Sequence, residues 1–235
     1  MTKTIRVGCA SGFWGDSYIA APQLIERGNI DYLVFDYLSE ITMSIMARAM
    51  AKDPNAGYAI DFVSVTMASI ARDVAAKKIK VIANAGGVNP RACAAALEAL
   101  LAKLGVDLKV AWIEGDDLMP GLDRWRAAGL TEMFTGMALP EKLVSMNAYL
   151  GGFPVAAALA AGADIVVTGR CVDSAVTLGA CIHEFGWTPS DYDRLAGASL
   201  AGHIVECGAQ ACGGIFTDWE SVPGWDDIGY AIAEI

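Results

Sequence analysis

The chain reads as an α/β protein, a mostly parallel sheet flanked by helices with Rossmann-like layering. Two observations carry this reading. Short, nearly unbroken apolar runs alternate with helix-patterned segments, and each run ends in small or polar residues; strands covered on both faces of a parallel sheet have that pattern. The composition agrees: 235 residues with 54% hydrophobic and 19% charged side chains form one sizeable core and lie far from the signature of disorder. Residues 1–235 are therefore expected to form a single α/β domain.

The elements follow in order. TIRVGCASG (4–12) predicts the first strand and leads into a helix-like segment over 16–28; DYLVFDYLSE (31–40) predicts the second and leads into ITMSIMARAMAK (41–52). DPNAGYAI (53–60) marks a turn before a helix through FVSVTMASIARDVAAKK (62–78). IKVIANAGG (79–87) predicts a third strand, and the clearest helix of the chain follows it. Asn89 can cap that helix and Pro90 suits its first position, while Ala94, Leu97, Leu100, Leu101 and Leu104 form an apolar stripe that Gly105 ends. LKVAWIEGDD (108–117) and ADIVVTGRCVD (163–173) repeat the strand form. His183 lies on a helix that stops at Gly186, and the terminal IGYAIAEI (228–235) reads as a strand that a further segment or a partner would continue.

Composition also excludes functions. With 17 Lys and Arg against 27 Asp and Glu, the net charge is −10, and no basic face is available for a phosphate backbone, so nucleic acid is not an expected partner. No apolar stretch reaches the roughly 20 clean residues of a bilayer span, and the start lacks the pattern of a secretory leader; a cytoplasmic protein is expected. The six cysteines are spread along the chain and read as free thiols rather than a disulfide framework. So few charges for so much apolar surface point to a homo-oligomer, or to a second chain that covers part of it.

Ligands of open parallel sheets bind outside the carboxyl ends of the strands. The loops there are CASGFWGDS (9–17), DYLSE (36–40), NAGGVN (84–89), EGDD (114–117) and TGRCVDS (168–174), which would gather Asp16, Asp36, Glu40, Asn84, Glu114, Asp116, Asp117, Arg170 and Asp173 on one edge. The first loop, with Ser11, Gly12, Gly15 and Asp16, fails the spacing of a dinucleotide fingerprint, and no Walker lysine follows it. Its glycines, like Gly86 and Gly87 beside Asn84, either let backbone amides approach an anion or simply make the turn. Glu114, Asp116 and Asp117 form either a solvated acidic turn, an acid/base set, or a Mg²⁺ site. Arg170 would clamp a carboxylate, or pair with Asp173.

The segment GHIVECGAQACGG (202–214) concentrates His203, Glu206, Cys207, Gln210 and Cys212. A structural zinc would need a second half-site, which the sequence lacks. If helical, the segment puts His203 beside Glu206 and Cys207 as a base and its partner; the alternative is a close-packed glycine wall that presents His203, Glu206 and Gln210 to the strand ends.

GCASGFWGD, DYLSEITM, AKDPNAGYA, NAGGVNP, IEGDDL, NAYLG, GADIVVTGR, DSA and AGHIVECGAQACGG, in that order, together resemble the acyclic terpene utilisation family AtuA, from residue 6 to the terminal IAEI. The resemblance implies a role in the breakdown of terpenols and branched acyl chains among enzymes acting on coenzyme A thioesters, and a longer family architecture of which this chain is the N-terminal portion. It places Cys207, Gly208 and Gln210 in a shared block, from which Cys212 departs. The expectation is thus an enzyme on an acyl-CoA or related carboxylate, a lyase, hydratase or hydrolase. Asp116, Asp117, His203 and Glu206 would handle protons, while Ser11, Gly12, Gly15, Asp16, Asn84, Gly86, Gly87, Arg170, Asp173 and Gln210 would bind substrate. A non-catalytic ligand-binding or scaffold subunit of a degradation complex is the rival.

Overall fold

Five parallel strands, β1 (Arg6–Cys9), β2 (Tyr32–Phe35), β3 (Lys80–Ala83), β4 (Val110–Ile113) and β5 (Ile165–Thr168), and one antiparallel strand, β6 (Ile232–Glu234), make a single sheet in the order β4-β5-β3-β2-β1-β6. The computed structural model describes residues 3–235. Register is continuous across the sheet: Val7 stands opposite Tyr32, Leu33 opposite Val81, Ala83 opposite Val167 and Ile113 opposite Thr168. The α/β expectation holds, and the terminal apolar run pairs in place, Arg6 opposite Glu234 along β1.

Side chains alternate between the two faces of the sheet, as the period of two requires. Leu33, Phe35, Val81, Ala83, Ile165 and Val167 point into one apolar layer, shared with α1 (Ala20–Arg27), α2 (Glu40–Met50), α3 (Ala68–Lys77) and α4 (Pro90–Leu104). Val7, Cys9, Tyr32, Val34, Ile82 and Val166 point into the other, shared with α6 (Gly152–Ala160), α7 (Ala175–Phe185) and α8 (Tyr192–Val205). A short α5 (Leu122–Ala127) lies between β4 and α6. Because both faces are covered, β2 and β5 are buried at every position, which is why they read as unbroken apolar runs.

Local chemistry sets several boundaries as expected. The Asn89 side chain accepts from the Ala92 amide at 3.3 Å, Pro90 opens α4, and Gly105 ends it at φ +66; α7 stops at Gly186, φ +64. Two helices differ from the sequence reading. The helix expected over 16–28 starts only at Ala20, with no capping side chain at Ile19; the residues before it are tied elsewhere, Asp16 Oδ2 accepting from the Gly12 amide at 3.0 Å and the Ser17 hydroxyl accepting from the distant Tyr230 hydroxyl at 2.7 Å. The helix over 62–78 begins with a wide π-helical turn, Phe62–Met67, which keeps Phe62 edge-on to Phe35 at 5.3 Å.

The order of connections positions the site. From β3 the chain leaves through α4 on one face toward β4, whereas from the adjacent β5 it leaves through α7 and α8 on the other face toward β6. Neighbouring strands whose connections diverge to opposite faces open a crevice at their carboxyl ends, the usual ligand position in such sheets.

Candidate functional site: a carboxylate and arginine cluster at the strand ends

At the carboxyl ends of β3 and β5 lie Asn84 and Arg170, both buried, the arginine at 5% exposure. Arg170 is held from several sides. Its Nη1 donates to the Cys171 carbonyl at 2.8 Å and to Asp173 Oδ1 at 2.9 Å, its Nη2 lies 3.6 Å from Glu40 Oε1, and its guanidinium stacks 4.2 Å over the Tyr149 ring. Burial works against its charge, but the bonds to Asp173 and Tyr149 outweigh that and raise its pKa. The cation is permanent and its plane is fixed.

Around it stand carboxylates from three distant parts of the chain. Asp36 follows β2, Asp173 follows β5, and Glu206 ends α8; one oxygen from each lies within 4.8 Å of the others. Asp36 is buried, and its Oδ1 accepts from the Asn84 side-chain amide, whose own oxygen accepts from the Tyr37 amide at 2.6 Å. Burial, opposed by the Asn84 bond and reinforced by the charges of Asp173 and Glu206, pushes Asp36 up to about 7. Glu206 pairs through Oε1 with His203 Nδ1 at 2.9 Å, and burial raises its pKa too. Its Oε2 is buried without a hydrogen-bond partner, which is costly for any carboxylate oxygen. An all-oxygen set of this kind suits a hard cation rather than a thiolate-seeking one.

The acidic turn at 114–117 is arranged differently. Glu114 reaches out to Arg91 at 3.1 Å on the surface, and Asp117 caps the Met119 amide at 2.9 Å. Asp116 turns inward, where its Oδ2 accepts from the Arg170 amide at 2.9 Å and from Asn147 at 3.0 Å. The Mg²⁺ site expected at Glu114, Asp116 and Asp117 is not assembled: among the described residues the carboxylates that converge are Asp36, Asp173 and Glu206. Asp116 serves as the buried brace of the loop that carries Arg170.

The glycine loops use their small residues against the chain itself. A Cβ on Gly12 would lie 2.7 Å from Cys207 Cα, and one on Gly86 would lie 2.5 Å from the Thr168 carbonyl oxygen. Their amides are engaged as well, Gly12 with Asp16 Oδ2 at 3.0 Å and Gly86 with the Thr168 carbonyl at 3.0 Å. Gly12 thus docks the 9–17 loop directly on the 202–214 segment. Gly15 turns at φ +85 with open space beside it, and Gly87 packs against Met46 at φ +56. Ser11 is buried and its hydroxyl bonds the Phe13 carbonyl at 3.2 Å. Gln210 sits on a 3₁₀ turn, Gly208–Cys212, after α8.

The thiols are poor nucleophiles. Burial pushes Cys9 and Cys171 to about 12 and raises Cys207. Cys9 instead donates its S–H to the Glu206 carbonyl at 3.2 Å, another tie between β1 and the end of α8.

Sequence reasoning missed the strap formed by residues 144–150. It threads between two strand-end loops: the Ala148 amide donates to the Asp116 carbonyl at 2.7 Å, the Leu150 amide to the Arg170 carbonyl at 3.2 Å, and the Val172 amide back to the Leu150 carbonyl at 2.8 Å. It delivers Asn147 to Asp116 and Tyr149 to Arg170 and Glu40. The signal available was the NAYLG block itself, which lies in no predicted element and so has no periodicity to assign it a place.

Fold and site together define an open parallel-sheet α/β protein with a buried arginine and carboxylate cluster at the strand ends, where this class holds its ligands. Over residues 5–235 the chain matches the model of the family described as acyclic terpene utilisation family protein AtuA. It belongs to that family. Comparison with curated proteins and with solved structures gave no significant match.

Proposed function

We propose that the chain is an enzyme of acyl-chain breakdown that takes a branched acyl-CoA or related carboxylate, with the carbonyl or carboxylate end at Arg170. One observation carries this reading. Arg170, Tyr149 and Glu40 form the polar end of a cleft of about 200 Å³ that shares Ser145 and Asn147 with a mostly apolar hollow of about 350 Å³ lined by Met50, Val88, Met119 and Val144, with Asp117 at its edge. A charged anchor at one end and a methionine- and valine-lined hollow at the other suit an amphipathic acyl substrate.

The chemistry favoured is addition or elimination of the lyase or hydratase kind. His203 with Glu206 at 2.9 Å is a proton-handling pair at the rim of the same cluster. Covalent acyl transfer to cysteine is disfavoured by the raised thiols. A scaffold subunit would leave its strand-end polar residues solvated; the burial of Ser11, Asp36, Asn84, Asp116, Arg170 and Glu206 supports an enzyme instead. The same reading has the protein working as a homo-oligomer in the cytoplasm. Exposed Met133, Phe134 and Ile215 support association, and six free cysteines agree with a reducing compartment. Among the described residues no helix is long and apolar enough to cross a membrane.

The test is incubation with a panel of branched acyl-CoAs and the matching free acids, followed by mass spectrometry and by thermal shift. Gain or loss of water, or splitting of one acyl chain, is expected for some member, with Arg170→Gln abolishing both turnover and the thermal shift. No mass change and no shift with any member would overturn the reading.

A further inference from the structure

We propose that Asp36, Asp173 and Glu206 form a binding site for one divalent, oxygen-seeking cation, of the Mg²⁺ or Mn²⁺ kind. The three carboxylates come from the ends of β2, β5 and α8 and offer one oxygen each within 4.8 Å. Three oxygens within that spread can share one ion with ligands at about 2.1–2.4 Å once the carboxylates move inward to meet it.

The way each carboxylate is held supports the site. Asp36 Oδ1 is bonded by Asn84, Asp173 Oδ1 by Arg170, and Glu206 Oε1 by His203. Each therefore has one oxygen fixed by a neighbour, while its second oxygen takes no hydrogen bond among the described residues. Metal-ligating carboxylates are oriented in this manner by a second layer of donors. Glu206 is the independent witness: its side chain is only 10% exposed, and its Oε2 is buried with no partner. An ionised oxygen in that position costs several kcal/mol unless a cation or donor meets it.

Charge points the same way. Asp36, Asp173 and Glu206 stand against the single guanidinium of Arg170, which also faces Glu40. When the three are ionised, their negative charge exceeds what that one guanidinium balances, and a divalent ion neutralises the excess. Oxygen-only ligation selects Mg²⁺, Mn²⁺ or Ca²⁺ over zinc. The inference stands apart from the acyl-binding reading, since it concerns the protein without substrate.

Mn²⁺ is the probe. Titration of the full chain, followed by the loss of the free-ion electron paramagnetic resonance signal, is expected to show one saturable site per chain that Mg²⁺ displaces. Asp173→Asn and Glu206→Gln, each close in shape to the native residue, are expected to weaken that site at least about tenfold with unchanged far-ultraviolet circular dichroism. Asp117→Asn, in the other acidic turn, is expected to leave it intact. Non-saturating binding would overturn the site, as would equal affinity in Glu206→Gln and the native protein, or an equal loss in Asp117→Asn. Should Asp173→Asn lose its fold, Glu206→Gln alone decides.

Discussion

Glu114, Asp116 and Asp117 lie within four residues of one another, yet in space they go three ways: one to a surface arginine, one into the base of the Arg170 loop, and one to its own turn. Asp36, Asp173 and Glu206 are scattered over most of the chain and meet within 4.8 Å. Adjacency in sequence therefore carries little weight at a strand end. Just past β4 the backbone turns at Gly115, φ +122, and successive side chains leave in different directions. The strand order, by contrast, brings Asp36 and Asp173 to one edge from the ends of β2 and β5, and the end of α8 adds Glu206.

That contrast can be broken most directly at its shared cation. Arg170→Ala leaves Asp173, and the carboxylates beside it, without their buried counter-charge. A loss of about 3–5 kcal/mol is expected in urea unfolding, the range for removing one partner of a buried pair. A loss below about 1 kcal/mol would mean that the cluster does not depend on the arginine.

The next effect separates two neighbours. Asp116→Ala orphans the Arg170 amide and the Asn147 side chain in a buried setting and is expected to cost about 2–3 kcal/mol. Asp117→Ala and Glu114→Gln act on solvent-exposed contacts and should stay within about 0.5 kcal/mol. Equal losses at 116 and 117, measured by the same denaturation, would erase the distinction between brace and turn.

Smaller still is the glycine that lets the two halves of the convergent cluster dock. Gly12→Ala places a methyl carbon 2.7–2.8 Å from the backbone of Cys207, so the 9–17 loop must move away from the segment that carries Glu206. A cost of about 1–2 kcal/mol is expected, together with faster exchange of amide protons around 206–210. Unchanged exchange there would show that the loop and the 202–214 segment are not mechanically joined.

Much of the fold was legible along the chain because its signals are local. Apolar runs of strand length and the capping of α4 by Asn89, Pro90 and Gly105 depend only on neighbours in sequence, and they survive in the structure. Parts of the site were legible for the same reason: Arg170 with Asp173, in the loop after β5, and His203 with Glu206, at the end of α8, are pairs only three residues apart in sequence. The late start of α1 and the role of the 144–150 strap were not legible, since both involve hydrogen bonds to residues far away in sequence.

What the sequence by itself determined is the class of sheet, the list of strand-end loops, and the family, because alternation and block order are written residue by residue. Which acids meet was decided only by the tertiary structure. The strand order places the ends of β2, β3 and β5 side by side, α8 returns across the opposite face to bring in Glu206, and the close approach at Gly12 locks that return in place. Charge repulsion alone would have kept those carboxylates apart; the packing of two apolar layers on one sheet holds them together around Arg170.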